Sequence, residues 1–377
     1  MAHKQKIIIF LFIFLNICSL AFALERGNIR VAIIEDEPGF YLTIRGRFEI
    51  LALGTNEPLY QSSRLRSSQV LPEYTGIKIG NLDFKICCLR IVAKKDATIY
   101  VNDRLLRGEI NIIRNKNLKL TVVNNLDLED YVRGVLYHEV SHLWPIEAIK
   151  AQAVATRSFA LYQAGLNKNK DFDLTSDIRS QVYGGRFSER NRTNKAVNKT
   201  KGEVLYFKQE VLAAFFSATC AGHTEDAGNL WKIDLLPLKG VVCNFCINSA
   251  HYQWKRNFRL KNIEEKLRKA GYDLGDIKNI SVLKRNSSGR IEVLEIICRE
   301  GSSFTISGKD FRQIIGPNEI RSNNYEILIK GYYVDFKGIG WGHGVGLCQW
   351  GAKGMAEKGF NYRKILSFYY PGATIKK

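Results

Sequence analysis

The stretch Leu126–Tyr162, LDLEDYVRGVLYHEVSHLWPIEAIKAQAVATRSFALY, holds two helical periodicities with one interruption. Asp127 precedes the first apolar-periodic residue and reads as an N-cap, with Asp130 three residues on in a weak capping-box position. At about 100° per residue, Leu128, Val132, Val135, Leu136 and Leu143 fall on one arc of the first helix. Trp144-Pro145 ends it, because proline lacks the amide hydrogen and restricts its predecessor. Pro145 suits the first position of a second helix reaching Tyr162. That helix carries Ala148, Ala151, Ala153, Ala155 and Ala160, small residues on several faces that let neighbours approach closely.

Glu139 falls in the middle of the apolar arc. A carboxylate there is costly unless a partner neutralises it or its pKa rises and keeps it protonated. A glutamic acid held protonated near neutral pH is what a glycosidic general acid requires. The alternative is a buried ion pair with a core arginine such as Arg157. A third reading overlaps both, since His138-Glu139-Val140-Ser141-His142 matches the H-E-x-x-H zinc metalloprotease signature. Its position at the last turn before Trp144-Pro145, and a third-ligand candidate, Glu147, that lies too near, weigh against it.

Outward from this segment the chain is segregated rather than alternating. From Asn28 to about Val123 short β-type runs prevail, such as Ile29–Ile34, Phe40–Ile44, Ala97–Val101 and Leu118–Val123, separated by turn residues. Helices dominate from Leu128 to Ala164, and a hairpin-like pair follows, Glu203–Phe207 and Val211–Ser217. Residues 256–336 mix a charged helix (Asn262–Ala270) with strands (Ile291–Cys298, Tyr325–Ile329) and read as a peripheral α/β lobe. The expected class is α+β: a β-rich region 24–123 and a domain 124–377 with a helical core, β-hairpins and a Gly-rich C-terminal segment.

Lys4 and Lys6, the apolar run Ile7–Leu15 and the small residues Ala21 and Ala23 spell a secretory signal peptide, 1–23, too short to be a spanning helix. A retained membrane anchor is the alternative. Either way, the remainder is expected outside the cytoplasm, in the periplasm or on the outer face of the cytoplasmic membrane. The formal charge of +19 becomes +17 without Lys4 and Lys6. With basic residues scattered and no nucleic-acid motif, anionic wall polymers are the expected partners rather than nucleic acid.

Gly338, Gly340, Gly342, Gly344 and Gly346 recur at every second residue. In an extended chain this strips one face of side chains and projects Trp341 and His343 from the other, either toward a ligand or into tight packing. Nucleotide-binding glycine spacings are absent. Seven of the eight cysteines lie beyond the signal. Cys220, His223, Cys243, Cys246 and His251 supply five candidate ligands for a tetrahedral zinc. A disulfide such as Cys220–Cys243, or unbound thiols, are the alternatives.

Several segments together resemble the SpoIID/LytB family: Glu129–Val135, Glu139, Glu147–Arg157, Ser176-Asp177, Gln181-Val182-Tyr183-Gly184-Gly185, Phe216–Thr224 and Gly340–Ala352, in order over most of residues 120–375. His138 and His142 depart from the small or apolar residues usual there. The resemblance implies a lytic transglycosylase acting on denuded peptidoglycan glycan strands, or an enhancer of a wall amidase, with Glu139 as the catalytic residue. One carboxylate suffices for the first activity, because the substrate's muramyl C6 hydroxyl is its own nucleophile and the same Glu can act as acid and then base. Gln152, Gln181, Tyr183, His343 and Gln349, all within matching motifs, are the expected substrate contacts, with structural hydrogen bonding as the alternative. No cofactor is expected for catalysis. A structural zinc in the family points to Cys220, Cys243, Cys246 and His251, with His223 as substitute, holding the loop after Ser217.

Overall fold

The computed structural model describes residues 27–377, so the signal-peptide expectation lies outside the described residues. Among them, no helix is long and apolar enough to cross a membrane.

The fold is α+β, as expected. An eleven-stranded, mostly antiparallel sheet fills the N-terminal region. Strand Asn28–Glu37 pairs antiparallel with Leu120–Asp127, Ile29 opposite Leu126, and parallel with the short strand Leu174–Thr175. Its buried alternation (Val31, Val122, Ile110, Ile112, Ile91) forms the core that continues under the helices. The sheet extends further than the sequence indicated. Phe40–Ala52 pairs with the sixteen-residue strand Pro58–Glu73, whose run of Ser, Gln and Arg gave little apolar signal.

Strand Leu120–Asp127 runs directly into helix α1, Leu128–Glu139. Asp127 caps it, its Oδ1 accepting from the amides of Glu129 (2.8 Å) and Asp130 (3.3 Å), a contribution of about 1 kcal/mol. The expected capping box does not close, because the Asp130 carboxylate turns to Arg133 instead. Leu128, Val132, Val135 and Leu136 are buried as the periodicity required. Leu143 is not: the helix stops at Glu139, Val140 is extended, and Leu143 is 75% exposed.

Helix α2, Ile146–Leu166, begins behind Pro145 and is buried on nearly every face through its alanines. It touches α1, helix α3 (Asn191–Lys199) and the helices Gln349–Glu357 and Tyr362–Tyr369. Gly134 of α1 is what lets the Tyr183 ring lie against the helix. A Cβ there would sit 2.4 Å from that ring.

Residues 254–336 have a hydrophobic core of their own, from Trp254 and Leu260 to Val334 and Phe336. The lobe is entered and left side by side, strand Gln253–Arg259 pairing with Tyr333–Ile339.

The Gly-rich segment departs from the extended form expected of it. Gly340, Gly342, Gly344 and Gly346 all have φ between 71° and 107°, a region closed to most side chains. The segment therefore loops instead of running straight, pressed so closely on its neighbours that a Cβ on Gly346 would lie 2.1 Å from the Phe215 carbonyl.

Candidate active site

A groove of about 620 Å³ opens where the C-terminus of α1, the segment Ile178–Val182, Phe216–Ala218 and the Gly-rich segment converge. Its volume is within the usual range for ligand clefts. It continues into a second hollow of about 430 Å³ lined by Tyr162, Phe215, Phe216 and Trp231. Ile178, Ser180, Phe216 and His343 line both.

Glu139 lies at the end of α1 in the wall of this groove, half-buried. Its Oε1 accepts from the Val182 amide (3.3 Å) and its Oε2 from the Gln349 side chain (3.2 Å). Burial raises its pKa; those two hydrogen bonds favour the charged form and offset only part of that rise. Among the described residues lining the groove, Glu139 is the only carboxylate.

The expected competitor for Glu139 is engaged elsewhere. Arg157 forks onto Glu129, at the other end of α1, Nε to Oε1 at 2.9 Å and Nη2 to Oε2 at 2.7 Å. Both side chains are buried, and Arg157 also donates to the Glu203 carbonyl. Glu139 has no arginine partner among the described residues and remains available to the groove.

The metalloprotease geometry is not formed. Because α1 ends at Glu139, His142 does not follow His138 on a second turn. His138 Nε2 meets the Ser188 hydroxyl at 2.6 Å, and burial with the nearby Arg104 and Arg190 charges lowers its pKa.

The other expected contacts divide. Gln349, Gln181 and His343 line the groove. Gln181 accepts from the Tyr131 hydroxyl at 2.8 Å. His343 Nδ1 accepts from the Val345 amide at 3.0 Å, which leaves its proton on Nε2. Burial and the Arg312 charge push its pKa down to about 3, so the ring is neutral at working pH. Gln152 does not reach the groove. It is buried within α2, donating to Thr156 Oγ1, because the helix turns that face inward. Tyr183 is likewise a core residue, stacked on Tyr131 at 5.5 Å with its hydroxyl donated to Asn124. Ser217 was not singled out from sequence, yet it lines the groove, its hydroxyl buried and, among the described residues, without a hydrogen-bond partner.

The expected metal ligands also divide. Cys220, Cys243 and Cys246 come together, but the fourth member of the cluster is Cys348 rather than a histidine. His251 turns to the groove instead, its ring edge-on to Trp341 at 4.5 Å, and His223 Nδ1 contacts the Thr224 carbonyl.

An α+β domain with one glutamate at a helix end beneath a glycine-rich loop defines a recognisable class. The chain belongs to the SpoIID family. The Stage II sporulation protein family matches residues 116–207, and a domain of unknown function matches 244–346, which spans the lobe and the Gly-rich segment. An uncharacterised protein of Brachyspira hyodysenteriae is 37% identical over 356 residues, covering 94% of each chain. The amidase enhancer of Bacillus subtilis is 28% identical over 289 residues, 65% of this chain and 40% of that one. Stage II sporulation protein D of Bacillus amyloliquefaciens is 28% identical over 270 residues, covering 68% and 76%.

Proposed function

We propose that the protein is an exported peptidoglycan lytic transglycosylase that cleaves glycan strands with Glu139 as its acid and base. The observation that carries this reading is the solitary carboxylate in the groove, held toward its protonated form by burial. A hydrolytic glycosidase ordinarily needs two carboxylates across the scissile bond. A reaction in which the sugar supplies its own nucleophile needs one.

Protonated Glu139 donates its hydrogen to the glycosidic oxygen as the C1–O bond breaks. The resulting carboxylate, stabilised by the Gln349 amide and the Val182 N–H, then takes the proton of the muramyl C6 hydroxyl. That oxygen closes on C1 to give a 1,6-anhydro end. The glutamic acid is regenerated, and no water is consumed. An open groove with an aromatic continuation suits a polymer better than a small molecule.

The test is digestion of stem-peptide-free glycan strands by wild type and Glu139→Gln, with products read by mass spectrometry. Anhydromuramyl ends from the wild type alone support the reading. A second reading is favoured by similarity to the Bacillus subtilis amidase enhancer. In that case the protein binds wall glycan and stimulates an amidase, no anhydro product forms, and stimulation survives Glu139→Gln.

A further inference from the structure

Four cysteines from three separate stretches meet behind one wall of the groove. Cys220 follows the strand Phe216–Ser217, Cys243 and Cys246 form a C-x-x-C loop, and Cys348 is the N-cap of the helix Gln349–Glu357. All four are buried, and their sulfur atoms lie within 4.8 Å of one another.

The spacing fits metal ligation better than disulfides. Cys220 Sγ and Cys246 Sγ are 3.7 Å apart. Four thiolates at about 2.3 Å from a tetrahedral zinc stand about 3.8 Å from one another, whereas a disulfide closes the pair to about 2.05 Å. The surroundings are those of thiolates. The backbone amides of Cys220 and Gly351 both point at Cys348 Sγ at 3.3 Å, and the Tyr369 hydroxyl lies 3.1 Å from Cys243 Sγ. Donors aimed at ligand sulfurs are the usual outer support of such a centre.

A second observation is independent of the sulfurs. Arg290 reaches in from the lobe and is 2% exposed, a charge that burial makes expensive unless something answers it. It donates to the carbonyls of His223 and Cys220 and to the Ser288 hydroxyl, and its Nε has no partner among the described residues. It reaches the Glu225 carboxylate only through Ser288. The Glu225 carboxylate is one counter-charge to it, and four thiolates around a divalent ion would leave a net double negative charge that adds a second.

We propose that Cys220, Cys243, Cys246 and Cys348 bind one zinc ion, with Arg290 as its outer cation, and that this centre clamps the groove wall bearing Ser217, Ala218 and Gln349. The clamp runs through the backbone. Phe216-Ser217 pairs in parallel with Leu347-Cys348, and Trp350 N donates to the Ala218 carbonyl at 3.1 Å. Thr219 and Trp341 exchange both of their backbone hydrogen bonds. Cys348 immediately precedes Gln349, so the ion fixes the start of the helix that aims this amide at Glu139. The ion does no chemistry there; it ties three chain segments and the lobe together.

This assignment does not depend on the glycan-cleaving reading, and its test reads metal and thiols rather than activity. The full-length protein, purified without chelator, is analysed for metal by mass spectrometry and for disulfides by non-reducing peptide mapping. One zinc per chain, released as four thiols are titrated by a mercurial, is the expected result. Cobalt substitution should then give the visible absorption of a tetrahedral tetrathiolate, unchanged in His251→Ala and altered in Cys348→Ser. Arg290→Gln should weaken zinc retention against a competing chelator by about 10- to 100-fold. Disulfides among these four cysteines, a metal-free wild type, or iron in place of zinc overturns the proposal, even if Cys348→Ser fails to fold.

Discussion

The Gln349 side chain donates to Glu139 Oε2 at 3.2 Å, linking residues 210 positions apart across the groove. This bond favours the carboxylate and opposes the rise that burial imposes. Gln349→Leu removes the opposition, so the pKa of Glu139 climbs further. The acid form then persists to higher pH, and the alkaline limb of the kcat/KM profile on denuded glycan moves upward. The two profiles measured side by side decide it, and a downward shift contradicts the assignment.

Glu139→Gln preserves the shape but removes the transferable proton. Loss of general acid–base catalysis lowers the rate by at least about 10²-fold. Its effect on stability has a definite sign. Because the folded-state pKa is raised, the contribution of the neutral acid is fully present below the ordinary glutamate pKa. It is lost as pH rises through the raised value. The Tm of the variant relative to wild type should therefore increase between pH 4 and pH 8. A constant difference means that Glu139 is not buried as described.

How much of this was readable from sequence depends on how local the determinants are. The α1 cap, the start of α2 behind Pro145 and the central position of α2 follow from neighbouring residues and were legible, whereas α1 stops at Glu139, ahead of the expected end at Trp144-Pro145. So was strand Ile291–Cys298, found with its expected bounds. The strand Pro58–Glu73 was not, because only Leu65 and Val70 of its sixteen residues are fully buried apolar residues and its pairing is set by Phe40–Ala52. Periodicity marked Glu139, but its freedom from Arg157 was decided by Glu129, one of two acids in the first turn with nothing local to choose between them. Cys348 escaped notice as a ligand because it lies 102 residues beyond Cys246. Only the parallel pairing of Phe216-Ser217 with Leu347-Cys348 brings it to the cluster.

The Arg157–Glu129 pair is fully enclosed, which makes its removal asymmetric. Arg157→Met strands a buried carboxylate that otherwise accepts from Arg157 and the Gly202 amide. The expected loss is about 3–5 kcal/mol, read as a lower urea midpoint at unchanged slope. Adding Glu129→Gln should recover part of it, since the second change removes the stranded charge. A single substitution costing under about 1 kcal/mol would place this pair with exposed ones.

Gly134 shows the same dependence on a distant partner. Inside an exposed helix, alanine would improve on glycine by about 1 kcal/mol. Here the added methyl meets the Tyr183 ring at 2.4 Å, and the ring is trapped between Tyr131 and Asn124. Gly134→Ala should be destabilising by about 1–3 kcal/mol, as overpacking is, and it should disturb the adjoining Gln181–Val182 segment. A thermal melt showing a more stable variant would contradict the packing described.

Ser217 separates a groove contact from a structural one, because the two roles predict opposite signs. Its buried hydroxyl has no hydrogen-bond partner among the described residues. A polar group left in that condition subtracts from stability, so Ser217→Ala should leave Tm unchanged or raise it. If the hydroxyl instead meets the glycan, the variant loses a bond worth about 0.5–1.5 kcal/mol, and kcat/KM falls by about 2- to 10-fold. A more stable and less active protein is the expected pair of results, from calorimetry and from product formation on denuded strands. A variant that melts lower and retains full activity would assign Ser217 to the fold rather than to the groove.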